Sequence, residues 1–455
     1  MISFLEVIDR AFTGPICSEK DFNLNDVTRM VREVVREYGI KYDPDIPIPS
    51  DDSLADDVFR AAVKFYTEVG TYCPDTERVM RFDEDEIKKA LRDAHDGATL
   101  GEGKDAKRLV ARKPESKEPP WCSVGACGAP VSTEEIFTSI VRGYGSIPRA
   151  DSLTSPGLTT VNGMKIVSGS PIEIYGAIRT VVLAREALRR AGRPGFPIVN
   201  GLATAITDAA TIAGSHFGMR PSDGWEIGSI AEMKLDFDRL NKVAYLTSMG
   251  GNILGENGPI LGGYCGGPEG TAVVTAAYAL QDIIVHRGIC QHPFPIHYKY
   301  GCSTGGNLLW TLSVASQAIS RNTHFPLLNC CYTAAGPMTE MCFYETAAWV
   351  TTSVVSGASV EVEGSAKATH IDHLSPMEPR FGVDVAHAVV GMRREDANEL
   401  VKSLLLKYED RIDDPPLGKR FQECFNIETG RPSVEHSRLY SRMREEMEDY
   451  GLTFE

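Results

Sequence analysis

The sequence lacks any apolar run long enough to cross a bilayer. Its longest stretch free of Asp, Glu, Lys and Arg is the 21 residues between Lys299 and Arg321, and Gly, Ser, Asn, Thr and Gln dilute it. The opening Met1-Ile-Ser-Phe-Leu-Glu6 has neither the basic nor the long apolar region of a secretory signal. Positive charge is in deficit. A formal net charge of −15 and a pI near 5.2 argue against nucleic acid as a partner. Paired cysteine spacings are missing as well: the 11 cysteines are scattered along 455 residues, the pattern of reduced thiols in a cytoplasmic protein. No Gly-x-Gly-x-x-Gly joins a strand to a helix and no Gly-x-x-x-x-Gly-Lys-Ser/Thr occurs, which removes the common nucleotide cradles.

What is present is an ordinary globular composition, 42% hydrophobic and 24% charged, enough for a large core. The first 120 or so residues are charged and show helical periodicity in 26–38, 53–70 and 83–95, with Asp83 placed to cap the last. A basic stretch, Lys104 to Lys117, reads as a linker or surface excursion, and Cys122 and Cys127 flank a small-residue loop. The middle of the chain is different. Between Val243 and Phe343 only Glu256, Glu269, Asp282, Arg287, Lys299, Arg321 and Glu340 carry charge.

Short apolar runs recur there and precede helical patterns: Phe196–Asn200, Lys242–Thr247, Ile260–Tyr264, Pro295–Tyr300, Pro326–Tyr332 and Val360–Glu363. Buried runs of this kind, each followed by a helix such as 271–286, 307–320 or 338–355, imply parallel βαβ units. The fold expected is α/β, a TIM (β/α)8 barrel over 151–415, with a helical N-terminal extension (1–150) and a C-terminal helical tail (416–455). Six or seven strands are countable, so closure is inferred.

A barrel carries its site at the C-terminal ends of its strands. Those ends supply Val199, Glu256, Cys330, Tyr332 and Glu363, with Glu226 upstream. A carboxylate in an apolar loop, as Glu256 is, either binds a cation, takes a proton or faces solvent. Gly301-Cys-Ser303-Thr-Gly305 matches a nucleophile-elbow pattern, so a serine hydrolase is one alternative. A metal is not expected: His292 and His297, His370 and His373, and the adjacent Cys330-Cys331 form none of the usual local ligand spacings. Adjacent strand residues also point to opposite faces.

Four separated segments, Ala191-Gly-Arg-Pro-Gly195, Gly262-Gly-Tyr-Cys-Gly-Gly267, Ala335-Gly-Pro-Met-Thr-Glu-Met341 and Phe421-Gln-Glu-Cys424, together resemble the monomethylamine methyltransferases of methanogens. The resemblance runs through most of the chain. It implies a TIM barrel, a hexamer, and methyl transfer from an amine to the Co(I) of a separate corrinoid protein. It places the family's pyrrolysine on Val199, two glutamates on Glu226 and Glu256, a glutamine on Cys330 and a tyrosine on Tyr332. Half of the site is thus present and its electrophile is missing.

A quaternary ammonium already carries the charge that lets an amine leave, whereas a primary amine needs capture or protonation. Val199 offers apolar contact, and Glu226, Glu256 and Tyr332 offer charge and a π face. The expected donor is therefore a methylated, quaternary amine. True monomethylamine activity, or a role as a non-catalytic corrinoid-protein partner, would also fit these residues. No corrinoid is expected to bind tightly in this chain, because no Asp-x-His-x-x-Gly string occurs.

Overall fold

A computed structural model describes residues 2–125, 128–200 and 207–454, so Cys127 and the stretch 201–206 lie outside the described residues. Eight short parallel strands form the centre: β1 (Cys122–Gly125), β2 (Ser152–Thr154), β3 (Val199–Asn200), β4 (Gly224–Gly228), β5 (Asn252–Asn257), β6 (Cys290–Pro293), β7 (Leu328–Cys331) and β8 (Ser359–Val362). They pair in two four-stranded sheets, β3-β4-β5-β6 and β7-β8-β1-β2. Two parallel bridges, Leu153 with Ile198 and Gln291 with Leu327, join the sheets, so the ladder returns to its start.

One helix follows each strand: α1 (Glu134–Gly145), α2 (Pro171–Arg190), α3 (Asp208–Phe217), α4 (Phe237–Met249), α5 (Pro268–Gln281), α6 (Gly306–Asn322), α7 (Glu340–Val355) and α8 (Met377–Ala388). Parallel strands need such crossovers, and helices on the outside bury the ladder's outer face.

The ladder begins at Cys122, ahead of residue 151, where the sequence pattern puts its start. Strands β1 and β2 are three or four residues long and rich in Ser and Thr, too short and polar to read as buried runs. Lys242–Thr247 is helical rather than extended. Leu240, Val243 and Leu246 recur at helical spacing and are buried, while Lys242 reaches Asp238 one turn back at 2.8 Å. Ile260–Leu261 and Ile296–His297 pair with each other in a separate parallel ladder. The central strands lie just before them, as β5 and β6. Lys107–Val110, placed in a linker by its charge, pairs with Gly97–Leu100 in a hairpin.

The charge-poor middle has a plain cause. Helix α5 is buried from Gly270 to Gln281, because the N-terminal helix Asp52–Val69 packs over both α5 and α6. With the ladder on one side and this cover on the other, those helices have little solvent face on which to place a charge. At the other end, the tail helix Val434–Asp449 packs on α7 and α8, and His436 Nε2 meets the buried Glu378 at 2.9 Å. None of the described helices is long and apolar enough to cross a membrane.

Asp83 caps the helix Glu84–Asp93 as expected, in a reciprocal box. Its carboxylate accepts from the Glu86 N–H at 2.8 Å, and the Glu86 carboxylate accepts from the Asp83 N–H at 3.1 Å. Asp83→Ala therefore costs about 1 kcal/mol of stability, read as a shift in denaturant midpoint.

Candidate functional site

Two layers of side chains fill the inner face of the ring. The lower layer is apolar: Val199, Leu254, Cys290 and Leu328 cluster with Trp121, whose indole N–H donates to Ser152 Oγ at 2.8 Å. Side chains alternate along a strand, so two residues further on the same face is reached again. There the layer turns polar, with Glu256 on β5, His292 on β6 and Cys330 on β7. Glu226 on β4 shares a pairing row with Leu254, and Glu361 on β8 shares one with Cys330. The structure therefore brings Glu226, Glu256, Cys330 and Val199 to one face.

His292 stands between two carboxylates. Its Nδ1 lies 3.1 Å from Glu226 Oε1 and its Nε2 3.8 Å from Glu361 Oε2. Cys330 Sγ lies 3.9 Å from Glu361 Oε1 and 3.6 Å from Glu363 Oε1. Thr154 Oγ1 donates to Glu361 Oε2 at 2.7 Å, and Ser365 Oγ donates to Glu363 Oε2 at 3.2 Å. Burial first, and then the negative charge of Glu226, push the Glu361 carboxyl up to about 7, against the pull of His292, Thr154 and Ser123. Glu226, Glu361 and Glu363 are 0% exposed and Glu256 5%, while Tyr332 is only partly buried. Tyr332 packs on Phe294 with ring centroids 5.3 Å apart.

His292 and Glu361 are site residues that motif spacing misses. The usable signal is alternation: in Val360-Glu-Val-Glu363 the valines take one face and the glutamates the other, so packed valines send both carboxylates inward. No local spacing could find the trio His292, Cys330 and Glu361, because three different strands supply it.

The hydrolase alternative loses its nucleophile. Ser303 is buried, and its Oγ accepts from the Tyr332 N–H at 2.8 Å and contacts Tyr332 O at 3.2 Å. That hydroxyl anchors the loop after β7. The Ala335-Gly-Pro-Met segment is fixed by another buried group, Glu345 on α7. Its carboxylate accepts from the Ala334 N–H at 2.7 Å, the Ala335 N–H at 2.9 Å and the Thr304 hydroxyl. In the Gly262–Gly267 segment, Gly262 has φ +89° and a Cβ there would come within 2.3 Å of the Tyr298 ring, so only glycine fits.

Comparison with known proteins decides the family. The family model for monomethylamine methyltransferase MtmB matches residues 2–452. The chain belongs to the monomethylamine methyltransferase family. It is 31% identical over 448 residues to MtmB of Methanosarcina mazei and 32% identical to MtmB3 of Methanosarcina barkeri, in both pairs over 98% of this chain and 97% of the relative. Crystal structures of M. barkeri MtmB and of a hydroxylamine–MtmB complex superpose with a TM-score of 0.95 at 29% identity, over 99% of this chain and 98% of theirs. The match thus extends through the N-terminal helices and the tail, in keeping with a resemblance that runs through most of the chain.

Proposed function

We propose that this protein is a corrinoid-dependent methyltransferase built on a TIM (β/α)8 barrel. It takes a methyl group from a methylated amine and passes it to the Co(I) of a separate corrinoid protein, without pyrrolysine. Family membership supports methyl transfer, and the closed parallel ladder supports the barrel. The observation that carries the donor class is the inner polar layer, where four carboxylates (Glu226, Glu256, Glu361 and Glu363) converge over an apolar floor. Buried carboxylates at this density call for a cation, and a methylated ammonium supplies one. Val199 forms part of that floor in place of an electrophile.

The reaction is an in-line displacement at a methyl carbon. The chain's task is to hold that carbon toward the cobalt at the open, C-terminal end of the ladder and to keep water away. A quaternary ammonium leaves as a neutral tertiary amine, so no residue has to deliver a proton. Glu226 and Glu256 balance its charge while it is bound, and the Tyr332–Phe294 pair presents aromatic faces at the entrance. Corrinoid is brought by the partner protein, which docks at this end. A homo-oligomer, a hexamer by resemblance, completes the reading.

The test is an absorbance assay for methyl-Co(III) with a cognate corrinoid protein reduced to Co(I). Mono-, di- and trimethylamine are offered beside several quaternary amines, and signal is expected from a quaternary donor. Signal from monomethylamine alone overturns the donor class. In the same assay Glu256→Gln raises the KM for the donor about tenfold, because one partly desolvated charge contact is lost. An unchanged KM removes that carboxylate from donor binding.

A further inference from the structure

We propose that His292, Cys330 and Glu361 form a binding site for one divalent transition-metal ion of the zinc class, with one ligand position left open. The three residues come from the neighbouring strands β6, β7 and β8, and all are buried. One nitrogen, one sulfur and one carboxylate oxygen lie within 4.8 Å of one another. His292 Nε2 lies 3.8 Å from one oxygen of the Glu361 carboxylate, Oε2, and Cys330 Sγ lies 3.9 Å from the other, Oε1. A tetrahedral zinc ion holding sulfur at about 2.3 Å and oxygen at about 2.0 Å sets its ligands about 3.5 Å apart, so rotamer-scale adjustment closes the site.

A second observation points the same way. Neither ring nitrogen of His292 makes a hydrogen bond of normal geometry, although the ring is fully buried. Nε2 faces the trio, and Nδ1 faces Glu226 Oε1 at 3.1 Å. A carboxylate behind a histidine whose other nitrogen is turned to a ligand cluster is the arrangement that orients metal-bound imidazoles. Glu226 is then a positioning residue for the metal as well as a charge for the donor.

The donor set selects the ion. A thiolate disfavours magnesium and calcium, and mixed N, S and O ligation suits zinc or its neighbours. Three protein ligands with a free position describe the open kind of zinc site. A thiolate and one carboxylate neutralise a divalent ion, which leaves Glu226, Glu256 and Glu363 as the other carboxyl groups of the layer.

The ion's open position is a Lewis acid for an atom bearing a lone pair, such as the nitrogen of a neutral amine. A quaternary ammonium has no such pair. The inference therefore goes beyond the donor reading and does not depend on it, and metal binding tests it whether or not any donor turns over.

The full-length protein is purified under reducing, oxygen-free conditions, stripped with a chelator and titrated with Zn2+, and separately with Co2+ as a spectroscopic probe. One ion per chain is expected, and the Co2+ form should show a thiolate-to-metal charge-transfer band and the d–d bands of a four-coordinate ion. Cys330→Ser removes the charge-transfer band. Glu226→Gln weakens Zn2+ binding by about 10- to 100-fold, as loss of an outer partner does, and His292→Ala and Glu361→Gln weaken it at least as much. Thermal melts report whether each variant folds, and Glu361→Gln, close in shape to the original, carries the test if Cys330→Ser does not. Absence of stoichiometric binding overturns the site, as does a Co2+ spectrum that a folded Cys330→Ser or Glu361→Gln variant leaves unchanged.

Discussion

Glu226→Gln lowers kcat/KM for a cationic methyl donor by about 100-fold and leaves the melting temperature close to that of the parent. Glu226 is fully buried on the inner face, with Oε1 at 3.1 Å from His292 Nδ1. Truncating one partner of a desolvated charge contact costs about 2–5 kcal/mol, and about 2.7 kcal/mol is a factor of 100. Glutamine keeps the shape, so the loss reports the charge rather than a cavity. Contact made equally in the ground and transition states appears in KM, which is where most of the effect belongs if Glu226 only balances the bound ammonium. A fall confined to kcat would mean that Glu226 acts by orienting His292. A change below threefold in both would remove it from the site. The assay is run at saturating Zn2+, so that a weakened metal site does not masquerade as a donor effect.

How much of the fold is legible in the sequence depends on what each segment has to satisfy. Helices α5, α6 and α7 are long and apolar, and each shows in the sequence because it is packed on most sides. Strand β7 is equally plain, since Leu328–Cys331 is a buried run of the kind a parallel strand gives. Strands β1 and β2 are not. Their inward residues Ser123, Ser152 and Thr154 are small and polar because they line the ring near Glu361, and that removes the apolar signal a strand is recognised by. Helix α4 misleads for the opposite reason: Val243-Ala-Tyr-Leu246 is apolar enough to look extended, and only the position of Leu240 restores the helical period.

The site divides in the same way. Glu226, Glu256, Cys330 and Tyr332 stand out by their place at or near strand ends and by the family resemblance, and the first three lie on the inner face while Tyr332 packs on Phe294. His292 has no partner among the histidines near it in sequence, because its neighbours in space are Glu226 and Glu361, more than sixty residues away on either side. Contacts between strands of a parallel ladder are set by register, and register cannot be read from one strand at a time.

Glu345→Ala destabilises the protein by about 3–5 kcal/mol, a larger loss than any surface change in this chain should produce. The side chain is fully buried on α7, outside the ring, and burial pushes its carboxyl up to about 7 against the pull of Thr304 and the two amides it accepts from. Through those bonds it ties the loop after β6, at Thr304, to the loop after β7, at Ala334 and Ala335. Tyr408 pins the same junction by donating to Thr304 O at 2.6 Å. Alanine leaves two buried N–H groups and one hydroxyl without their acceptor, at about 1–3 kcal/mol each, reduced by whatever water enters the space. Glu345→Gln keeps one acceptor oxygen and should lose about half as much. Both variants are compared by chemical denaturation at constant slope, since a changed slope would signal a change in the compactness of the native or denatured state. The loops that Glu345 joins also hold Tyr332, through Ser303, at the entrance to the inner face. Donor KM should therefore rise in Glu345→Ala even at temperatures where the fold is intact. A stable Glu345→Ala protein with an unaltered KM would show that these loops hold their shape without it, and that the Ala335-Gly-Pro-Met segment needs another explanation.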